Sequence, residues 1–211
     1  MKFQLYSFGE SGHSYKVALA LHFSKVNWEQ IFIDFFQGEA RSEAFKNEIN
    51  RMAEVPVLVY GDKKISQSGA ILDYLNGKTG NYFGKNDEER AEILRWVLWD
   101  NSRLSGSLGP TRFLMNFIPR DKKPVEVINY LQKRNDTALA VLESHLSGKN
   151  WVAADQLSAA DLSCCSYLFY PEEFGFNRKS HPNIDHWLSN IEALENWKHP
   201  YDLLERAYPP K

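Results

Sequence analysis

Apolar and polar residues alternate at the start of the chain. Phe3 and Leu5 share one side of residues 2–7, the period of a half-buried strand. The period then lengthens: Val17, Ala18 and Leu21, with Val26 beyond, fall near helical spacing over residues 14–25. Alternation returns at 29–34, where Ile31 and Ile33 face together, and a short helix is expected over 42–49. Val57–Tyr60 is a β-branched apolar run, and residues 64–66 can fold back on it across Gly61-Asp62. A helix over 68–75 follows, with Ser68 as its N-cap. The order β-α-β-α-β-β-α predicts a small mixed sheet with helices on its faces.

The glycine-rich run Gly77-Lys78-Thr79-Gly80-Asn81-Tyr82-Phe83-Gly84 reads as a linker. Beyond it the spacing is helical. Ile93, Leu94, Val97 and Leu98 recur over 87–104, and Val127, Ile128, Leu131, Leu139 and Leu142 over 125–146. Further helices are expected over 158–170 and 184–194, and few strand signals survive. The chain is therefore α+β, with a mixed domain at 1–77, a linker at 78–86 and an all-α domain at 87–211.

Composition narrows the function. With 43% hydrophobic and 25% charged residues in 211, the chain matches an ordinary globular protein. A net charge of −2 offers no basic excess to displace counterions, which argues against nucleic-acid binding. Cys164 and Cys165 are adjacent, and neighbouring Cα atoms about 3.8 Å apart are too close for an ordinary disulfide. Free thiols point to a reducing compartment. The histidines are scattered and no metal-ligand spacing stands out. The first residues carry no signal-like apolar stretch, and no stretch reaches the roughly 20 apolar residues of a membrane span. A cytoplasmic protein with neither metal nor membrane partner is expected.

Three segments can carry chemistry. Phe8-Gly9-Glu10-Ser11-Gly12-His13-Ser14 joins the first strand to the first helix. Such a junction points backbone N–H groups at whatever precedes the helix, which favours anions and thiolates. Ser11 and Ser14 stand at Cys-x-x-Cys spacing, but serine cannot exchange disulfides, so a dithiol oxidoreductase is ruled out at this site. A serine there either caps the helix or donates to a ligand's thiolate. In Glu54-Val55-Pro56-Val57 a proline precedes a strand; a cis bond would turn the Val55 backbone outward to pair with an extended peptide. In Ser66-Gln67-Ser68 a helix opens where a carboxylate can bind, or where the serine only caps.

Together these segments resemble the cytosolic glutathione transferases. The resemblance covers essentially the whole chain. It is to the serine-type, bacterial-like members, with partial similarity to zeta- and phi-like ones. It lies in Ser11 six residues before Val17, in Val55-Pro56, and in Gln67-Ser68 followed by Ala70-Ile71-Leu72-Asp73-Tyr74-Leu75. It implies a thioredoxin-like domain followed by an all-α domain. Ser158-Ala159-Ala160-Asp161 resembles the family's helix-capping box, which is structural. By resemblance Ser11 is catalytic and stabilises the glutathione thiolate. Val55 beside Pro56 holds the cysteinyl backbone, and Gln67 and Ser68 hold the γ-glutamyl carboxylate. Glutathione is then a cosubstrate, conjugated to a small hydrophobic electrophile in detoxification by a homodimer.

Three departures bear on this. Glu54 stands where relatives often have Lys or Gln for the glycine carboxylate, which leaves Arg41 and Lys46 as candidates. Tyr6 ends the first strand, near where tyrosine-type members keep a phenol. Ser11-Gly12-His13 only partly matches the Ser-Ser-Cys of isomerising zeta-like members. Glutathione-dependent isomerase or peroxidase activity, or a low-activity binding protein of this fold, are the alternatives. Trp96, Trp99, Arg103, Leu104 and Phe113 are candidates to line the electrophile pocket, against the commoner role of core packing.

Overall fold

The computed structural model describes residues 1–209 and divides into two compact units. The first comprises Met1–Tyr82 together with the segment from Asn196 onward; the second is Phe83–Glu195.

The first unit holds a four-stranded sheet of β1 (Phe3–Ser7), β2 (Trp28–Phe32), β3 (Val57–Tyr60) and β4 (Lys63–Ser66), in the order β2-β1-β3-β4. The β1 and β2 strands run parallel, joined through α1 (Gly12–Phe23), while β1/β3 and β3/β4 are antiparallel. The thioredoxin-like arrangement follows from this mixed topology. The register sets Tyr6 opposite both Ile31 and Val57. Strand alternation sends Phe3, Leu5 and Ser7 to the buried face and Gln4 and Tyr6 to the other. On the Tyr6 side lies α2 (Glu43–Glu48), whose Phe45 is buried with Ile33, Ala40 and Val57. The α3 helix (Ser68–Thr79) packs beside α1. Its N-cap is Gln67, one residue before the expected Ser68.

The second unit is helical. It contains α4 (Asp87–Trp99), α5 (Ser105–Asn116), α6 (Val125–His145), α7 (Ala159–Cys164) and α8 (Pro182–Glu192). A π-helical turn, Asp100–Leu104, joins α4 to α5. The buried Asp100 carboxylate braces that turn, accepting from Ser105 Oγ at 2.7 Å and Ser163 Oγ at 2.6 Å. The expected helix over 158–170 is shorter: α7 gives way to a 3₁₀ turn at Ser166–Phe169. The expected capping box is present at Ser158 and Asp161. The final short helix, α9 (Pro200–Leu203), belongs to the first unit.

Among the described residues no helix is long and apolar enough to cross a membrane, and no cluster of three metal-ligating side chains occurs. Both cysteines are buried, and neither is in a disulfide.

Candidate functional site

The glutathione-site candidates read from the sequence all lie in the first unit, and a chain of contacts links them. It starts at the N-terminus of α1. Ser11 is extended (φ −86°, ψ 107°), and its Oγ accepts the Ser14 N–H at 3.1 Å. This is the capping geometry. The bond occupies an oxygen lone pair. No described group accepts the Ser11 proton, so the hydroxyl retains its donor function. Ser14 supplies the amide and not the cap.

Two residues on, His13 Nδ1 lies 3.3 Å from Ser68 Oγ, in the first turn of α3. This contact joins the two helix N-termini across 55 positions of sequence. Burial, helped by the charge of Lys16, pushes His13 down to about 3, so the ring is neutral at physiological pH. A neutral imidazole with its proton on Nδ1 donates to Ser68 Oγ and orients it. Sequence reasoning passed over His13. The available signal was its place inside the Ser11 loop.

Neither α1 nor α3 carries an acidic residue in its first turn, whereas α4 carries Asp87, Glu88 and Glu89 there. The α4 pattern satisfies the helix dipole with side chains. At α1 and α3 the partial positive charge has no such internal counterpart and is available to a ligand's anions.

The chain of contacts continues through Gln67. Its Nε2 donates to Glu54 Oε2 at 2.9 Å. The Glu54 carbonyl in turn accepts from Asn50 Nδ2 at 2.8 Å. Glu54 thus has an amide partner. Of the two cations considered for a carboxylate, Lys46 is paired with Glu43, and Arg41 lies 5.9 Å from the Phe35 ring centroid. After Glu54 comes Val55-Pro56, whose peptide bond is cis, and then β3. Ala53 (φ 56°) and Gln67 (φ 70°) adopt left-handed backbone on either side of this hairpin. Such residues cost on the order of 1–3 kcal/mol and concentrate at ligand-binding positions.

Tyr6 packs edge-on to Phe45 at 6.4 Å, against the small apolar cluster under α2. Phe8 stacks on Phe35 at 4.5 Å, and Phe36 meets Phe35 edge-on at 5.5 Å, forming an aromatic patch beside the Ser11 loop.

In the second unit, Trp96 and Trp99 meet at 5.0 Å and line a cleft of about 800 Å³ with Arg95, Val141 and His145. Leu104 is fully buried and Phe113 is 36% exposed.

Residues 1–77 match the model of the glutathione S-transferase N-terminal domain, and residues 111–195 that of the C-terminal domain. A zeta-class glutathione S-transferase of Euphorbia esula is 30% identical over 167 residues, covering 76% of this chain and 72% of that protein. The chain belongs to the glutathione S-transferase family.

Two further similarities bear on it. A crystal structure of a possible member from Rhodopseudomonas palustris is 28% identical, with a TM-score of 0.84 over 93% of this chain and 90% of that one. A disulfide-bond oxidoreductase of Escherichia coli (strain K12), YfcG, is 26% identical over 90% of this chain and 86% of that protein. The glutathione S-transferase domain models thus meet the two units in the same order as the mixed and helical parts read from the sequence.

Proposed function

We propose that this glutathione S-transferase conjugates the glutathione thiolate to hydrophobic electrophiles, with Ser11 as the catalytic donor. One observation carries the reading: the uncommitted Ser11 hydroxyl stands at the opening of α1, tied to the opening of α3 through His13 and Ser68. A free thiol titrates near about 8.5, so little thiolate exists at neutral pH. A hydroxyl donor and a helix N-terminus both stabilise the anion and lower that value. The thiolate then attacks an electrophilic carbon. A sulfur–carbon bond forms, and the leaving group departs with its electron pair. No protein base is needed once the bound thiol is ionised.

The rest of the site holds the tripeptide. Val55, next to the cis bond to Pro56, pairs with the cysteinyl backbone as an added strand would. Gln67 and Ser68 hold the γ-glutamyl carboxylate at the α3 N-terminus. We infer a homodimer as the working form.

A second reading is favoured by the oxidoreductase relative. No cysteine stands in the Ser11 loop. A bound glutathione thiolate can nevertheless attack a disulfide sulfur itself, forming a mixed disulfide and expelling a second thiolate. The same activated sulfur serves both reactions.

The test titrates glutathione by calorimetry, then follows bound thiolate absorbance against pH. Turnover is measured with an aryl halide and with a small disulfide. The proposal expects binding, a thiolate pKa below that of free glutathione, and faster turnover of the halide. Absence of binding at millimolar glutathione would overturn it, and faster turnover of the disulfide would favour the second reading.

A further inference from the structure

The residue before the Ser11 cap has a role that the proposed site does not use. Glu10 sits in a turn, yet its side chain is only 2% exposed. A buried carboxylate needs donors. Its Oε2 accepts the Ala207 N–H at 2.9 Å, and its Oε1 accepts the Tyr208 N–H at 3.1 Å and Arg206 Nε at 3.3 Å. All three donors come from a segment nearly two hundred positions away, with 197 between Glu10 and Ala207.

The neighbouring contacts keep that segment on the loop. The Gly9 N–H donates to the Glu205 carbonyl at 2.7 Å. A Cβ on Gly9 would stand 2.9 Å from that oxygen and 3.0 Å from the Leu204 oxygen, so only glycine admits so close an approach. The Glu205 N–H donates to Gln30 Oε1 at 2.8 Å, and Gln30 Nε2 reaches the Ser7 carbonyl at the end of β1. The Tyr208 ring lies 5.2 Å from Phe36, at the edge of the aromatic patch.

We propose that Glu10 is a positioning residue for thiolate activation. By clamping residues 206–208 onto the loop, it fixes the direction in which the Ser11 hydroxyl donates. The inference rests on the reading of Ser11 as the thiolate donor. Glu10 acts through the loop and touches no reacting atom. A merely structural clamp would change stability alone. A positioning clamp also changes the pH profile, because a misdirected hydroxyl stabilises the thiolate less.

The experiment compares the parent chain with Glu10→Gln, with a chain ended after Glu205, with the combination, and with Ser11→Ala. Each is measured for glutathione thiolate pKa, kcat and KM with an aryl halide. Glu10→Gln should lower kcat on the order of tenfold and raise the thiolate pKa, with KM for glutathione changed less than about threefold. The shortened chain, which loses all three donors and the Tyr208–Phe36 contact, should show at least the same change, and the combination should add nothing to the shortened chain. A folded Glu10→Gln with the parent's pH profile would overturn the proposal, and so would additive losses in the combination. Should Glu10→Gln fail to fold, the shortened chain decides by the same criterion. If Ser11→Ala raises the thiolate pKa while Glu10→Gln and the shortened chain do not, the Glu10 proposal falls alone. If Ser11→Ala leaves the profile unchanged, both readings fall.

Discussion

Ser11 caps α1, and on the proposed reading it also donates to the thiolate; substitutions can separate the two. Ser11→Ala removes both. Conjugation should fall on the order of 10²-fold, the cost of one positioned donor, and unfolding free energy by about 1 kcal/mol for the lost cap. Ser11→Asp keeps an acceptor for the Ser14 N–H but has no proton to give at neutral pH. It should retain the cap's stability in urea melts while turnover stays low. His13 makes a different prediction. Its folded-state value of about 3 lies below the ordinary 6.5. The unfolded chain therefore takes up the proton first, and stability rises with pH across that window. The contribution is complete above about 6.5 and is lost as the pH falls toward 3. Urea midpoints should drop between pH 7 and 4.5, and His13→Gln should flatten that part of the profile. Ser11, Val55-Pro56 and Gln67-Ser68 stand out as candidates in the sequence because each is a local pattern at an element boundary. The His13–Ser68 contact and the Glu54–Gln67 pair do not, since these join residues 55 and 13 positions apart through the fold.

At the level of elements, α7 is held at its start by a buried carboxylate, Asp161. Asp161 Oδ1 accepts from the Val152 N–H at 2.8 Å and Trp187 Nε1 at 2.9 Å, and Oδ2 accepts from the Ser158 N–H at 2.9 Å. Asp161→Ala leaves these buried donors without their acceptor and should cost about 3 kcal/mol, read from urea unfolding. The chemistry of the first unit should be spared in the folded fraction. Strand β3 was legible because a β-branched run is bounded by Pro56 and Gly61, and α6 because its apolar residues recur over many turns. The α5 helix was not legible. Ser105-Gly106-Ser107-Leu108-Gly109-Pro110 reads as a breaker sequence, yet it is helical. A Cβ at Gly109 would lie 2.8 Å from the Tyr167 hydroxyl, so close packing within the second unit selects glycine there against helix propensity.

For the whole molecule, a homodimer needs apolar surface to cover. Leu94 and Leu98, one turn apart on α4, are 39% and 60% exposed. On α6, Val141 lines the Trp96–Trp99 cleft at 45% exposure. Sedimentation should give a dimer, and Leu94→Lys with Leu98→Lys should give a folded monomer. A different consequence follows from the path of the chain. The first unit is discontinuous: its sheet and the helices α1 to α3 come from the first 82 residues, but partners of Gly9, Glu10 and Gln30 come from residues 205–208. During synthesis the helical unit emerges whole before those partners do. On the ribosome it has every residue it needs, while the first unit waits for residues made after the helical one. Order of translation and order of completion are therefore reversed. A nascent chain halted at Glu195 should protect its helical amides from exchange while the Ser11 loop still exchanges freely.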